Sequence, residues 1–95
     1  MNEENKPVRW EILFSGGVQG VGFRYTSAVF AQQLGLTGSV RNMADGRVRM
    51  EVQGSRDRIT ELLIRLKSTP PIDIEDFSVK ELPLNEGESR FSILR

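Results

Sequence analysis

The chain has 95 residues, and its 13 basic and 13 acidic side chains cancel to a formal net charge of zero. It contains neither cysteine nor histidine, which excludes disulfides, thiolate metal sites, a cysteine nucleophile and catalytic triads with a histidine base. A neutral chain lacks the broad positive field that attracts nucleic acids and anionic membranes, and the polar N-terminus carries no secretory signal. We therefore expect a cytoplasmic protein that binds neither nucleic acid nor membrane.

The chain is predicted to form one domain, residues 8–95, after a flexible lead-in of residues 1–7. Residues 8–14 alternate apolar and polar side chains, which predicts a strand with one strongly buried face. Apolar residues then recur at helical spacing over residues 23–34, and Gly35 is a plausible stop for that helix.

A hairpin and a second helix are predicted next. Residues 38–44 and 47–53 are typical of strands, and Asp45 and Gly46 between them are a strong hairpin-turn signal. Ser55 is a good N-cap for a helix with an apolar stripe, and two successive prolines end that region.

Two final strands complete the predicted fold. The first, residues 73–82, has an imperfect alternation that suggests a bulge, and the second is residues 90–94. The order is β-α-β-β-α-β with an extra short C-terminal strand. It favours a ferredoxin-like α/β (α+β) sandwich, in which an antiparallel sheet carries both helices on one face.

The segment GGVQGVGFR, residues 16–24, places four glycines between the first strand and the first helix. Glycines cluster in such turns because they tolerate positive φ, so a plain flexible turn is one interpretation. An anion-binding loop is the other, because N–H groups at a helix N-terminus lack intrahelical partners and the helix dipole is positive there.

Two side chains break local rules. Arg24 falls in the first turn of the helix, where a cation opposes the dipole at a cost of roughly 0.3–1 kcal/mol. An anion bound to the N–H groups and to the guanidinium would remove this conflict, and a side chain that points outward to water is the equal alternative. Asn42 lies in a predicted strand, where asparagine is disfavoured. A hydrogen bond to the following turn is the simpler explanation for it.

The chain resembles the acylphosphatase family over residues 8–95. The matching segments have the order and spacing of that family, and the run VQGVGFR is highly specific. The segments are GGVQGVGFR (16–24), LGLTGSVRN (34–42), DGRV (45–48) and QG (53–54).

The resemblance implies an enzyme that hydrolyses the carboxyl-phosphate bond of acyl phosphates to a carboxylate and inorganic phosphate, with no metal or cofactor. Arg24 matches the substrate-binding arginine of the family, and Asn42 matches its water-orienting asparagine. The phosphate-binding loop of backbone amides is implied to consist of Gly16, Gly17, Val18, Gln19, Gly20, Val21, Gly22 and Phe23.

Some positions depart from the family pattern, since Gly17 stands where a basic residue is common and Ser39 where an aromatic is frequent. The expected partner is a small acyl phosphate, and the expected state is a monomer. Because the chain ends where the predicted domain ends, a free-standing enzyme is favoured. A non-catalytic anion-binding or accessory module of the same fold is the alternative.

Overall fold

The computed structural model describes residues 6–95, so residues 1–5 of the predicted lead-in lie outside the described residues. The predicted order of elements is confirmed, and neither helix in this part of the chain is long and apolar enough to cross a membrane. The elements are β1 (Pro7–Gly17), α1 (Phe23–Gln33), β2 (Thr37–Asn42), β3 (Val48–Ser55), α2 (Arg56–Lys67), β4 (Asp73–Leu82) and β5 (Phe91–Ile93).

The five strands form one sheet in the order β4-β1-β3-β2-β5. Neighbours among the first four strands are antiparallel, as predicted, which gives the ferredoxin-like arrangement. β5 pairs with β2 in parallel, so the five-stranded sheet is largely antiparallel and becomes mixed only at this edge. The chain leaves β4 at one edge of the sheet and crosses to the opposite edge at the same end, so it enters β5 in the direction of β2.

The core lies between the sheet and the two helices, which contact each other on one face of the sheet. The alternation predicted for β1 and β3 is confirmed, since one face of each strand is buried. The predicted N-cap of α2 is confirmed as well, because Ser55 Oγ accepts a hydrogen bond from the Arg58 N–H at 3.3 Å. The fully buried large side chains include Ile12, Phe14, Phe23, Met50, Ile59, Leu62 and Leu66.

The glycine-rich loop is shorter than predicted, because β1 continues through Gly16 and Gly17, which pair with Ile74 and Asp73 of β4. The register between β1 and β4 shifts at this point, which confirms a bulge in β4. Gly16 has φ +119°, and a Cβ there would lie 2.6 Å from the carbonyl oxygen of Asp73. The strand therefore needs glycine for this close approach, and the loop itself spans residues 18–22.

Candidate functional site

An open pocket of about 250 Å³ lies where the loop after β1, the N-terminus of α1 and the end of β2 meet. Arg24 and Asn42 both line this pocket, although they come from different elements. The fold therefore brings together the two side chains that the sequence singled out. The other lining residues are Val18, Gly20, Gly22, Phe23, Tyr25 and Ile93.

The loop turns into α1 through two glycines in the left-handed region, Gly20 with φ 75° and Gly22 with φ 77°. A Cβ at either position would meet nothing within 4 Å. Glycine is therefore required there by backbone conformation and not by lack of space. Gly22 is also the N-cap residue of α1, and its position carries no side-chain cap.

Backbone N–H groups without partners are concentrated at this turn. The first hydrogen bond of α1 runs from the Thr26 N–H to the Gly22 carbonyl at 2.9 Å, so the N–H groups of residues 23–25 precede it. In the described part of the chain, the N–H groups of residues 19–22 donate no hydrogen bond either. The first turn of α1 has no acidic residue. Such a run of donors at the positive end of a helix dipole suits an anion.

The guanidinium of Arg24 is held beside this turn, because its Nη1 donates to the carbonyl oxygen of Leu94 at 3.1 Å. Leu94 follows directly after β5, so the C-terminal segment supports the side chain. No other partner of Arg24 occurs within residues 6–95, which leaves its remaining N–H groups available. A guanidinium fork presents these donors in a geometry that matches two oxygens of one phosphate.

Asn42 is the last residue of β2 and is half-buried. A hydrogen bond from the Asn42 side chain to the following turn was the simpler explanation for an asparagine at this position. The described residues do not form that hydrogen bond. Among the described residues, the carboxamide of Asn42 has no hydrogen-bond partner. A polar group that faces a pocket without a protein partner is able to bind water or a ligand.

The predicted loop residues do not all line the pocket. Gly16 and Gly17 belong to β1, and Val21 packs against the core. Gln19 has a role that the sequence did not reveal, because its Nε2 donates to the carbonyl oxygens of Met43 at 2.8 Å and Arg47 at 2.9 Å. Its side chain therefore ties the loop to the hairpin between β2 and β3. The one sequence signal for Gln19 is that it is the only polar residue among the glycines and valines of residues 16–22.

The segment next to the pocket is a hairpin turn between β2 and β3, as its Asp-Gly sequence predicted. Asp45 Oδ1 accepts the Arg47 N–H at 3.0 Å, and this hydrogen bond lowers the pKa of the Asp45 carboxyl. Asp45 does not line the pocket. Residues 6–95 contain no group of three or more His, Cys, Asp or Glu side chains that could hold a metal ion.

Comparisons with known proteins agree with the fold and with the motifs. The family model described as Acylphosphatase matches residues 10–93. The chain is 38% identical to an acylphosphatase from Trichormus variabilis over 97% of this chain and 91% of that protein. It is 43% identical to an acylphosphatase from Acaryochloris marina over 87% of this chain and 89% of that protein. The crystal structure of acylphosphatase from Bacillus subtilis superposes with a TM-score of 0.85 at 36% identity, over 93% of this chain and 99% of that one. The chain therefore belongs to the acylphosphatase family of enzymes.

Proposed function

We propose that this protein hydrolyses acyl phosphates, with Arg24 and the backbone N–H groups of the loop binding the phosphoryl group and Asn42 orienting the attacking water. The observation that carries the proposal is that both side chains line one pocket beside a run of unpartnered N–H groups. Membership of the acylphosphatase family supports the reaction class.

The reaction suits the side chains that are available. An acyl phosphate is a mixed anhydride whose leaving group is a carboxylate, so the departing oxygen needs no general acid. Catalysis of phosphoryl transfer depends mainly on positioning and on stabilisation of charge. A chain with no histidine and no cysteine can provide both, although it is poorly suited to most other hydrolytic mechanisms.

In the proposed complex, three phosphoryl oxygens lie against the N–H groups of the loop and the guanidinium of Arg24. These donors are fixed before the substrate arrives, because the loop is shaped by its glycines and Arg24 is held by the Leu94 carbonyl. Preorganised donors of this kind are each worth roughly 2–4 kcal/mol of transition-state stabilisation. The charge on the substrate also offsets the conflict between Arg24 and the helix dipole.

Asn42 cannot act as a base at neutral pH, but its carboxamide oxygen can accept a hydrogen bond from a water molecule. That bond would orient a lone pair of the water toward phosphorus, opposite the carboxylate. As the new P–O bond forms, the bond between phosphorus and the acyl oxygen breaks. The proton of the water then passes to a phosphate oxygen or to solvent.

The test is hydrolysis of benzoyl phosphate in the presence of a chelator, together with binding of inorganic phosphate. We expect Arg24→Ala to lose both turnover and phosphate binding, and Asn42→Ala to lose turnover while it still binds phosphate. Arg56→Ala is the matched control, because Arg56 also lies in the first turn of a helix but is exposed and does not line the pocket.

Wild-type turnover in Asn42→Ala would show that the water-orienting role is wrong. Phosphate binding by the unaltered protein without any turnover would favour the non-catalytic anion-binding module.

A further inference from the structure

The connection from β4 to β5, residues 83–90, crosses the face of the sheet that carries no helix. We name it the crossover loop. Asn85 in this loop forms two hydrogen bonds with Gln53 of β3, since its N–H donates to Gln53 Oε1 at 2.8 Å and its carbonyl accepts from Gln53 Nε2 at 3.0 Å. The loop is therefore fastened to the middle of the sheet before it reaches β5 at the edge.

The strongest attachment of the crossover loop is the ion pair between Glu88 and Arg9 of β1. Arg9 Nη1 lies 2.8 Å from Glu88 Oε1, and Arg9 Nη2 lies 3.1 Å from Glu88 Oε2, so the contact is bidentate. Arg9 is only 7% exposed, and it also contacts Glu51 Oε1 at 3.1 Å. A buried guanidinium is costly unless it is paired in good geometry, so this contact has a strong preference for one arrangement.

A continuous series of contacts leads from Glu88 to the candidate site. Glu88 lies near the start of β2, where the Thr37 side chain helps to lower the pKa of its carboxyl. The Gly38 N–H donates to the carbonyl oxygen of Arg90 at 3.0 Å, and β5 then pairs with β2. After β5, the Leu94 N–H donates to the Val40 carbonyl at 2.8 Å.

The last contact of this series is the one that matters for the pocket, because the Leu94 carbonyl oxygen accepts the hydrogen bond of the Arg24 guanidinium at 3.1 Å. β5, which lies between Arg90 and Leu94, has three residues and pairs with β2 at the edge of the sheet. β5 is held by its pairing with β2, by its contact with α1 and by Phe91, which packs against the core. The position of the Leu94 carbonyl depends on these contacts and on what holds the chain before β5.

We propose that Arg9 and Glu88 are positioning residues for Arg24, which they influence through β5 and the Leu94 carbonyl. The ion pair lies at the end of the sheet where β1 and β2 begin, and the pocket lies at the end where they finish. Leu94 comes six positions after Glu88, a separation that extended chain can span over at most roughly 20 Å, so a short segment joins the ion pair to that carbonyl. This inference rests on the proposed function, in which Arg24 binds the phosphoryl group.

The sheet offers a matched control on the same face. Arg49 Nη2 lies 2.8 Å from Glu11 Oε2, so this pair joins β1 to β3 as Arg9 joins β1 to the loop. Neither Arg49 nor Glu11 contacts the crossover loop or β5. Arg49 Nη2 also lies 2.9 Å from Glu51 Oε2, and Glu51 contacts Arg9, so the control is Glu11→Gln. It removes one ion pair of this network and leaves the bidentate contact between Arg9 and Glu88 in place.

The experiment compares Glu88→Gln, Arg9→Lys and Glu11→Gln with the unaltered protein, using the Kd for inorganic phosphate and the NMR signal of the Arg24 Nε–H group. We expect Glu88→Gln and Arg9→Lys to raise the phosphate Kd, and the KM for benzoyl phosphate, by about threefold to tenfold. The Arg24 signal should shift or broaden in both variants. Glu11→Gln should leave the Kd and the signal unchanged.

The inference is overturned if Glu88→Gln and Arg9→Lys remain folded and keep the wild-type Kd and Arg24 signal. It is also overturned if Glu11→Gln changes them by the same amount, because the effect would then come from general stability. Arg9→Lys keeps the positive charge, so it still tests the inference if Glu88→Gln does not fold. Absence of turnover in the unaltered protein would contradict the proposed function alone, since the Kd and the NMR signal need no hydrolysis.

Discussion

The side chain of Gln19 joins the loop to the hairpin beside Asn42, because its Nε2 lies 2.8 Å from the carbonyl oxygen of Met43. The same nitrogen donates to the carbonyl oxygen of Arg47 at 2.9 Å. The Met43 N–H in turn donates to that Arg47 carbonyl at 2.8 Å, which closes the hairpin. One carboxamide therefore fixes the distance between the loop N–H groups and Asn42, the residue that precedes Met43.

Gln19→Ala removes both of these hydrogen bonds and leaves two partly buried carbonyl oxygens with fewer partners. We expect the free energy of unfolding to fall by about 1–3 kcal/mol. Turnover of benzoyl phosphate should fall as well, because the loop and Asn42 would no longer keep a fixed separation. Urea unfolding and steady-state kinetics measure the two effects. Gln32→Ala, at an exposed position of α1, is the control and should change neither quantity.

Gly22→Ala tests whether the left-handed turn into α1 is needed for anion binding. A Cβ at Gly22 meets no atom within 4 Å, so the substitution introduces backbone strain alone, at a cost of about 1–2 kcal/mol. If the loop relaxes to relieve that strain, the N–H groups of residues 19–22 turn away from the pocket, and the affinity for inorganic phosphate should fall.

Gly46→Ala is the control for this substitution, because Gly46 has φ +95° and equally open surroundings in the hairpin. It should lose similar stability and keep its phosphate affinity. Gly22→Asn should bind phosphate better than Gly22→Ala, since asparagine tolerates the left-handed region. Equal phosphate affinity in all three variants and the unaltered protein would exclude a role for the turn.

The ion pair of Glu88 predicts a specific dependence of stability on pH. Burial tends to raise the pKa of the Glu88 carboxyl, but hydrogen bonds from Arg9 and Thr37 outweigh burial and the pKa is lowered. A carboxyl whose pKa is lowered by folding stabilises the protein above its ordinary pKa, near 4.5. This stabilisation is lost as the pH falls through the lowered value.

We therefore expect Glu88→Gln to be less stable than the unaltered protein at pH 7, and the difference to shrink as the pH falls below 4.5. Urea unfolding at a series of pH values between 7 and about 3 measures this convergence. A difference in stability that stays constant across this series would mean that the charge of Glu88 does not contribute.

The sequence was sufficient for those parts of the molecule that depend on local pattern. Alternation located β1 and β3, and Ser55 located the start of α2, because these signals depend on residues close together in the chain. Arg24 and Asn42 each conflict with the preferences of their own secondary structure, but it was the resemblance to the acylphosphatase family that assigned them roles. Such conflicts are frequent at functional positions, where a bound group compensates for them.

The remaining features depend on parts of the chain that are distant in sequence. Arg9 lies on the polar face of β1, and nothing local predicts that the crossover loop buries it. Gln19 binds two backbone carbonyls of the hairpin, and the sequence of the hairpin does not indicate that contact. Gly16 looks like a loop residue because glycine disfavours strands, and only the close approach of β4 explains its place in β1.

Ser27 provides the last prediction, because its side chain is completely buried and its Oγ has no hydrogen-bond partner in the described residues. A buried hydroxyl without a partner is unfavourable, and serine is a weaker helix former than alanine. We therefore expect Ser27→Ala in α1 to raise the free energy of unfolding by about 1 kcal/mol.

Thr60→Ala separates the two causes, because Thr60 is exposed in α2 and its Oγ1 donates to the Arg56 carbonyl at 2.9 Å. This substitution gains helix propensity and loses an exposed hydrogen bond, so urea unfolding should show a smaller increase. A loss of stability in Ser27→Ala would instead mean that the hydroxyl has a partner in solution, such as a buried water molecule.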